Sequence, residues 1–424
     1  MRKYLLHQLP KESKTYLALV LASILALLAI SLFLWAGEAV QYQVKALLID
    51  QAYWGFLLTP AVFALIIYLD KHFDSGYAGG SGIPQLLAAT DSRNKRIRLL
   101  LLSFKVALSK IAFVLLSMVG GASLSFGGPS VHIGGSIFYH VAELIQLKRK
   151  LFIQALIAIG GSVGLIVAFN APIAGVLFAY EEIGRNLRRQ ALVLIAITSL
   201  LVYLLFNFYQ AHTPYLTDLS SLSMPLTLVW QLLPLAILLG ILGGLFAKVS
   251  LLLIRRFMLG DRSKLILIAA LLGLVVALMN FLSNTQTSGS GHQETLLLLS
   301  GDRLGVEFAL MKYLATLASF LSSIAGGLFM TSISIGAGMG AELSVWYGQI
   351  EAQVIMLLAM IAYLSAVIRA PLTATLLVLE MTNNFNLLLP GLMVALIASI
   401  TSKQISAQPI YEALAENYLK LTQR

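Results

Sequence analysis

The sequence has 424 residues, of which 58% are hydrophobic and only 11% are charged. A soluble domain usually carries about 25% charged residues, so this chain cannot cover itself with a water-facing surface. The composition excludes an ordinary soluble enzyme, a disordered chain and a fibrous protein, and it indicates an integral protein of the lipid bilayer. The chain has no cysteine, which excludes disulfides and cysteine-ligated metals.

The net charge of +10 comes from short basic clusters between apolar runs. By the positive-inside rule these loops are predicted to be cytoplasmic, whereas residues 209–225 lack Lys and Arg and fit an external loop. Basic clusters of this kind contact lipid headgroups, so we expect no nucleic-acid partner. The clusters are Arg2/Lys3/Lys11/Lys14, Arg93/Lys95/Arg96/Arg98, Lys148/Arg149/Lys150, Arg185/Arg188/Arg189 and Arg255/Arg256/Arg262/Lys264.

In chain order, a polar, basic segment at 1–14 is predicted to be cytoplasmic, and the apolar run 15–35 is predicted to be a retained first helix. Further runs differ in length from the roughly 20 residues that one span needs, which predicts tilted and partly inserted helices. The runs do not alternate with period two, which argues against a barrel. They lie at 54–69, 99–124, 151–169, 190–208, 226–254, 264–282, 308–330, 353–368 and 387–400.

Glycine-rich breaks interrupt the apolar sequence at 79–84, 125–130 and 335–340. Unwound backbone at membrane depth is tolerated only where it is buried in protein or lines a wet cavity. A helix-like run follows each break. Each break therefore predicts a helix N-terminus whose free N–H groups and positive dipole end face an anion.

The two halves of the chain share landmarks in one order. Ala171-Pro172 with Glu181 recurs as Ala370-Pro371 with Glu380, residues 80–82 (GSG) recur as 289–291, and the break near 127 is paired with the one near 338. These matches predict a duplicated fold with a first repeat at 15–211, a second at 226–402 and a closing segment at 403–424. Matching alone does not say whether the repeats are inverted or parallel, but broken helices at matching places indicate a midplane transport site.

At four places the sequence resembles the CLC chloride channels and chloride/proton antiporters. Residues 80–84 (GSGIP) are similar to the family's first anion-site signature, 169–182 to its mid-chain signature, 369–382 to its late signature and 408–411 (QPIY) to its pore-tyrosine segment. The resemblance implies an all-α inverted repeat of about 17–18 helices, many partial or broken, with the ion site at facing helix N-termini. It also implies a homodimer, a prokaryotic inner membrane and a cytoplasmic-side helix within 403–424 that completes the pore. No cofactor or metal is expected.

The resemblance further implies a chloride site. Ser81 and Tyr411 would donate hydroxyl hydrogen bonds, and a serine at the first signature favours chloride over nitrate or fluoride. Backbone N–H groups near two further breaks would complete the cage, at Gly127, Gly128, Met339 and Gly340. From the residues alone, Ser81 fits a helix N-cap equally well, and Tyr411 fits an interfacial anchor.

Two signatures depart from the family pattern. The match places Gly127 where the family carries its external gating glutamate, and glycine can neither titrate nor block. We therefore predict passive, proton-uncoupled chloride conduction by a channel or uniporter. The third signature is matched to 338–342 (GMGAE), with Glu342 where a proline is expected.

Alternatives remain open at this stage. In a chloride/proton antiporter, Glu342, predicted in the first turn of a helix, or His132 would replace the missing gating glutamate as the protonatable group. Glu182 either matches the family's internal proton-transfer glutamate or pairs with arginines of 185–189. Lys110 is predicted to raise the local potential for anions. A remote alternative is a non-conducting membrane scaffold. An enzyme is not expected, because no nucleophile–base pair or metal cluster is visible in the sequence.

Overall fold

The computed structural model describes residues 11–73, 76–92, 94–144, 150–183, 189–209, 214–258 and 261–421. Most of these residues are helical, and seven stretches among them are long and apolar enough to cross a membrane. The α-helices, in chain order, are α1 (Lys11–Asp50), α2 (Gly55–Phe73), α3 (Ile83–Asp91), α4 (Lys95–Leu101), α5 (Phe104–Val119), α6 (Gly127–Leu144), α7 (Lys150–Phe169), α8 (Pro172–Phe178), α9 (Arg189–Tyr209), α10 (Leu233–Met258), α11 (Arg262–Leu282), α12 (His292–Leu299), α13 (Phe308–Leu321), α14 (Phe329–Ser344), α15 (Ala352–Ile368), α16 (Pro371–Met381), α17 (Leu388–Ile405) and α18 (Ile410–Leu421).

The predicted all-helical membrane fold, with its partial helices, is confirmed. The run 15–35 belongs to the longer helix α1, and 403–424 contains the predicted last helix, α18. Most of segment 1–14 lies outside the described residues, as do most of the basic clusters at 148–150 and 185–189. The repeat boundaries stay predictions.

Corresponding segments of the two halves run antiparallel. Glu181, just after α8, accepts N–H bonds from Leu372 and Thr373 in the first turn of α16, at 3.0 and 2.7 Å. Glu380, near the end of α16, accepts N–H bonds from Ile173 and Ala174 in the first turn of α8, at 2.9 and 2.7 Å. Each segment's C-terminal carboxylate thus caps the other's N-terminus, which fits the preference of acidic groups for helix N-termini. Because these two repeat-related segments run in opposite directions, the repeat is inverted.

The third landmark of the repeat was placed wrongly by the sequence. Residues 335–340 do not break a helix, because α14 runs through them from Phe329 to Ser344. The glycines lie where α14 packs closely on α15: a Cβ atom on Gly336 would stand 2.6 Å from Met360 Cα, and one on Gly340 would stand 2.6 Å from Met356 Cα. Small residues four apart allow two helices this approach. The counterpart of the break at 125–130 is instead residues 324–329, where Ser125 and Gly327 form an antiparallel bridge.

The reciprocal carboxylate caps lead to a stability prediction. We expect Glu181→Ala and Glu380→Ala each to lower the free energy of unfolding by about 2 kcal/mol or more, because each removes at least two charge-assisted hydrogen bonds, which contribute about 1.5–3 kcal/mol each. Glu342→Ala is the matched control, since Glu342 is exposed near the end of α14 and its loss should cost under about 0.5 kcal/mol. Thermal unfolding in detergent measures all three. Equal melting temperatures for Glu342→Ala and Glu380→Ala would contradict the prediction.

Candidate anion site

The first wall of the site is the turn that precedes α3. Gly80 and Gly82 have φ values of +67° and +96°, a left-handed conformation that favours glycine. Pro84 then opens α3 without needing an N–H partner. This turn presents the buried Ser81 at the helix N-terminus. The N-cap residue is Gly82, so no side chain caps the helix.

Lys110 of α5 holds this turn in place through hydrogen bonds to its backbone. Its fully buried Nζ donates to the carbonyl oxygens of Ala78, Gly79 and Gly80 at 2.7, 3.1 and 3.1 Å. A carbonyl group buried without a donor is costly, so Lys110 satisfies the turn as well as placing a basic group next to it. Lys312 holds the repeat-related turn in the same way, through the carbonyl oxygens of Thr287 and Gly289 at 2.9 Å each.

The second wall is the N-terminus of α6, which begins at Gly127. A side chain on Gly128 would collide with Ser81 Oγ, and its Cβ atom would stand 2.7 Å from the Ser81 carbonyl oxygen. Only glycine permits the two helix N-termini to come this close. The N–H groups of Gly127 and Gly128 belong to the first turn of α6, where no intrahelical acceptor exists.

The third wall is the N-terminus of α14, at Phe329, ten residues before the predicted Met339. Gly327 exchanges backbone bonds with Ser125 at 2.8 and 2.6 Å, and Phe329 is the first helical residue. The prediction that Met339 and Gly340 stand at a helix N-terminus is therefore wrong, because both lie in the C-terminal half of α14. The structure does not bring them to the Ser81 turn.

Tyr411, in the first turn of α18, closes the site. Its fully buried ring stacks on Phe329 with centroids 6.3 Å apart and an interplanar angle of 22°, and its hydroxyl lies in the neighbourhood of Ser81. Apart from each other, neither hydroxyl has a hydrogen-bond partner within the described residues, and Ser125 Oγ has none there either. Buried hydroxyls without partners are rare, so this group points to a ligand that accepts hydrogen bonds.

The chemistry of these walls suits a monovalent anion. The donors are hydroxyl and backbone N–H groups, and three helix N-termini add the positive ends of their dipoles. A cavity of about 60 Å³ lies on one side of Ser81 and is lined also by Gly80, Pro84 and Tyr418. Neutral donors hold an anion without the strong attraction that would prevent its release. No group of three or more metal-ligating side chains occurs within the described residues.

The predicted titratable residues lie at separate places. His132, in the second turn of α6, is fully buried, and its Nε2 bonds to the Leu101 carbonyl oxygen at 2.9 Å. Glu342 is exposed in the last turn of α14, so its prediction for a first turn is wrong. Glu182 is 7% exposed and lines a cavity of about 190 Å³ with Asp91, Glu412 and Glu416.

Sequence reasoning missed three contributors. Ser125 lies inside the break at 125–130, and its hydroxyl is visible in the sequence. Phe329 and Phe169 gave no signal, because aromatic residues in apolar runs are normally core residues. Their importance comes from contacts across the chain: Phe169 lies 6.0 Å from Phe329 between ring centroids and approaches Gly127.

Facing helix N-termini, buried hydroxyls and an inverted repeat define a multi-pass membrane protein for anion transport. Residues 62–403 match the sequence model of the voltage gated chloride channel family, and the chain belongs to this family.

Solved structures show the same fold. A slow cyanobacterial Cl⁻/H⁺ antiporter matches with a TM-score of 0.83 and 24% identity over 97% of this chain and 99% of that one. A CLC-type fluoride/proton antiporter matches with a TM-score of 0.76 and 18% identity over 94% and 97%. A eukaryotic CLC transporter matches with a TM-score of 0.73 and 23% identity over 96% and 75%.

Proposed function

We propose that this protein conducts chloride passively across a membrane, without coupling to protons. The observation that carries the proposal is the N-terminus of α6: Gly127 begins the helix and has no titratable side chain, and the ring of Phe169 fills the adjacent space. The family resemblance expects a carboxylate here that binds in the anion's place and takes up a proton. A glycine supplies neither step.

Chloride is the proposed substrate. Ser81 and Tyr411 supply uncharged O–H donors, and the resemblance associates a serine at the first signature with chloride. We further propose that the protein is a homodimer with one pathway per subunit in a prokaryotic inner membrane. Light scattering of the detergent-solubilised protein tests the dimer, for which a monomer mass is the contrary result.

The decisive experiment records chloride efflux from liposomes together with external pH. We expect valinomycin and a potassium gradient to drive chloride efflux while the external pH stays constant. We also expect a chloride gradient to move no protons against their own gradient. Proton uptake in fixed proportion to chloride efflux would overturn the proposal, and purified protein without any halide flux would favour a non-conducting scaffold.

A second candidate is a chloride/proton antiporter with a surrogate group. The observation that favours it is Glu182, which lies between an acidic cavity and the region of Tyr411; two of the similar solved structures are also named as antiporters. The surrogates His132 and Glu342 receive less support, because one is engaged by a backbone carbonyl and the other is exposed away from the Ser81 turn. Proton flux in the wild type that is lost in Glu182→Gln would favour this candidate.

Restoring a carboxylate at position 127 tests the same idea from the other side. We expect Gly127→Glu to lower chloride flux about tenfold at neutral pH, because the carboxylate repels or replaces the anion, and to regain flux as the pH falls toward about 4.5, near the ordinary pKa of glutamate. Gly127→Gln has the same size and no charge at any pH, so its flux should match that of the protonated glutamate variant at every pH. Identical pH profiles for the two variants would contradict the prediction.

A further inference from the structure

Phe169 occupies the volume in which a side chain at position 127 would begin. It is the last residue of α7 and is only 2% exposed. A Cβ atom on Gly127 would stand 2.6 Å from both Cε2 and Cζ of the Phe169 ring. The ring therefore lies against the N-terminus of α6, and it points an edge, not a face, at that helix end.

Its neighbours hold this ring in place. Asn170 follows in a left-handed conformation, with φ of +52°, and α8 begins two residues later. The ring of Tyr215 packs edge-on against Phe169 with centroids 5.5 Å apart. Tyr215 is itself held by His292, whose Nε2 lies 3.0 Å from the Tyr215 carbonyl oxygen.

The position along the pathway follows from connectivity. Helices α7 and α9 both begin at predicted cytoplasmic loops, so the end of α7 and the loop after α9 lie toward the opposite face. That face holds Tyr215, and Phe169 lies between Tyr215 and Gly127. This places the Phe169 ring on the side of the site that faces the predicted external loop.

We propose that Phe169 is the outer gate of the anion pathway and takes the place of a gating carboxylate. An apolar ring at a constriction closes a pore by excluding water. The edge of the ring carries the positive part of its quadrupole, so an anion can pass beside the edge without repulsion. Opening then requires the ring to move and requires no proton. The inference rests on the proposed anion conduction and adds the residue that limits its rate.

The test is a size series at position 169 in reconstituted protein. We expect chloride efflux to rise at least about tenfold in Phe169→Ala, to rise less in Phe169→Leu, and to fall in Phe169→Trp, since a rate follows the height of its barrier. Phe178→Ala and Phe178→Leu are matched controls. Phe178 is equally buried and also touches Phe329, with centroids 5.8 Å apart, but it is not among the atoms nearest to Gly127.

Size-exclusion profiles and melting temperatures identify variants that fold, and Phe169→Leu and Phe169→Trp keep the test decisive if the alanine variant does not. Flux that is the same in folded Phe169→Leu, Phe169→Trp and wild type, or that rises equally in the Phe178 variants, would overturn the gate. Proton movement coupled to chloride in the wild type would instead refute the proposed function, so the two failures are distinguishable.

Discussion

Lys110→Met is expected to weaken chloride binding at least about tenfold and to lower the free energy of unfolding by about 3 kcal/mol or more. The substitution removes three hydrogen bonds that the charged Nζ donates to the carbonyl oxygens of Ala78, Gly79 and Gly80, and a hydrogen bond to a charged group contributes about 1.5–3 kcal/mol. The Gly79 oxygen keeps the Gln85 Nε2 donor and the Gly80 oxygen keeps the Gly326 N–H. The loosened turn no longer holds Ser81 against Gly128. Calorimetric titration with chloride and thermal unfolding measure the two effects.

Lys312→Met is the matched control for Lys110→Met. Lys312 is equally buried and bonds to two carbonyl oxygens of the repeat-related turn, but that turn precedes α12 and does not carry Ser81. We expect Lys312→Met to destabilise the protein comparably while folded protein keeps its chloride affinity. An equal loss of affinity in both variants would show that Lys110 acts only through general stability.

The double variant Ser81→Ala/Tyr411→Phe is expected to lose about 100-fold or more in chloride affinity, because a hydrogen bond to a charged partner contributes about 1.5–3 kcal/mol and 1.4 kcal/mol corresponds to a factor of ten. The same variant should be at least as stable as the wild type. Both hydroxyls are buried, and within the described residues neither has a partner apart from the other hydroxyl, so removing both leaves nothing unpaired and relieves a desolvation cost.

A loss of chloride affinity without a loss of stability distinguishes a binding site from a structural contact. Tyr363→Phe is the matched control, since the Tyr363 hydroxyl is likewise buried without a partner in the described part of the chain. Its ring neighbours Tyr313 at 6.3 Å instead of Phe329. We expect this variant to keep its chloride affinity. If the double variant binds chloride like wild type in the same titration, Ser81 and Tyr411 are not ligands.

The break at 335–340 shows where sequence reasoning reached its limit. A glycine in an apolar run has two physical uses, since it permits a left-handed turn and it permits close helix packing. The local sequence does not distinguish them. Gly80 and Gly82 serve the first use, and Gly336 and Gly340 serve the second, because the backbone of α15 fills the space beside them.

The sequence by itself determined the membrane location, the helical class, the duplication and two of the three helix N-termini, including Ser81 and Gly127. These features follow from composition and from local backbone preferences, which act within a few residues. The tertiary structure decided the direction of the repeat, the start of α14 at Phe329 and the position of Phe169 against Gly127. Those depend on contacts between residues far apart in the chain. The low charge of the chain places it in the lipid bilayer, whereas packing between distant segments decides which residues meet at the candidate anion site.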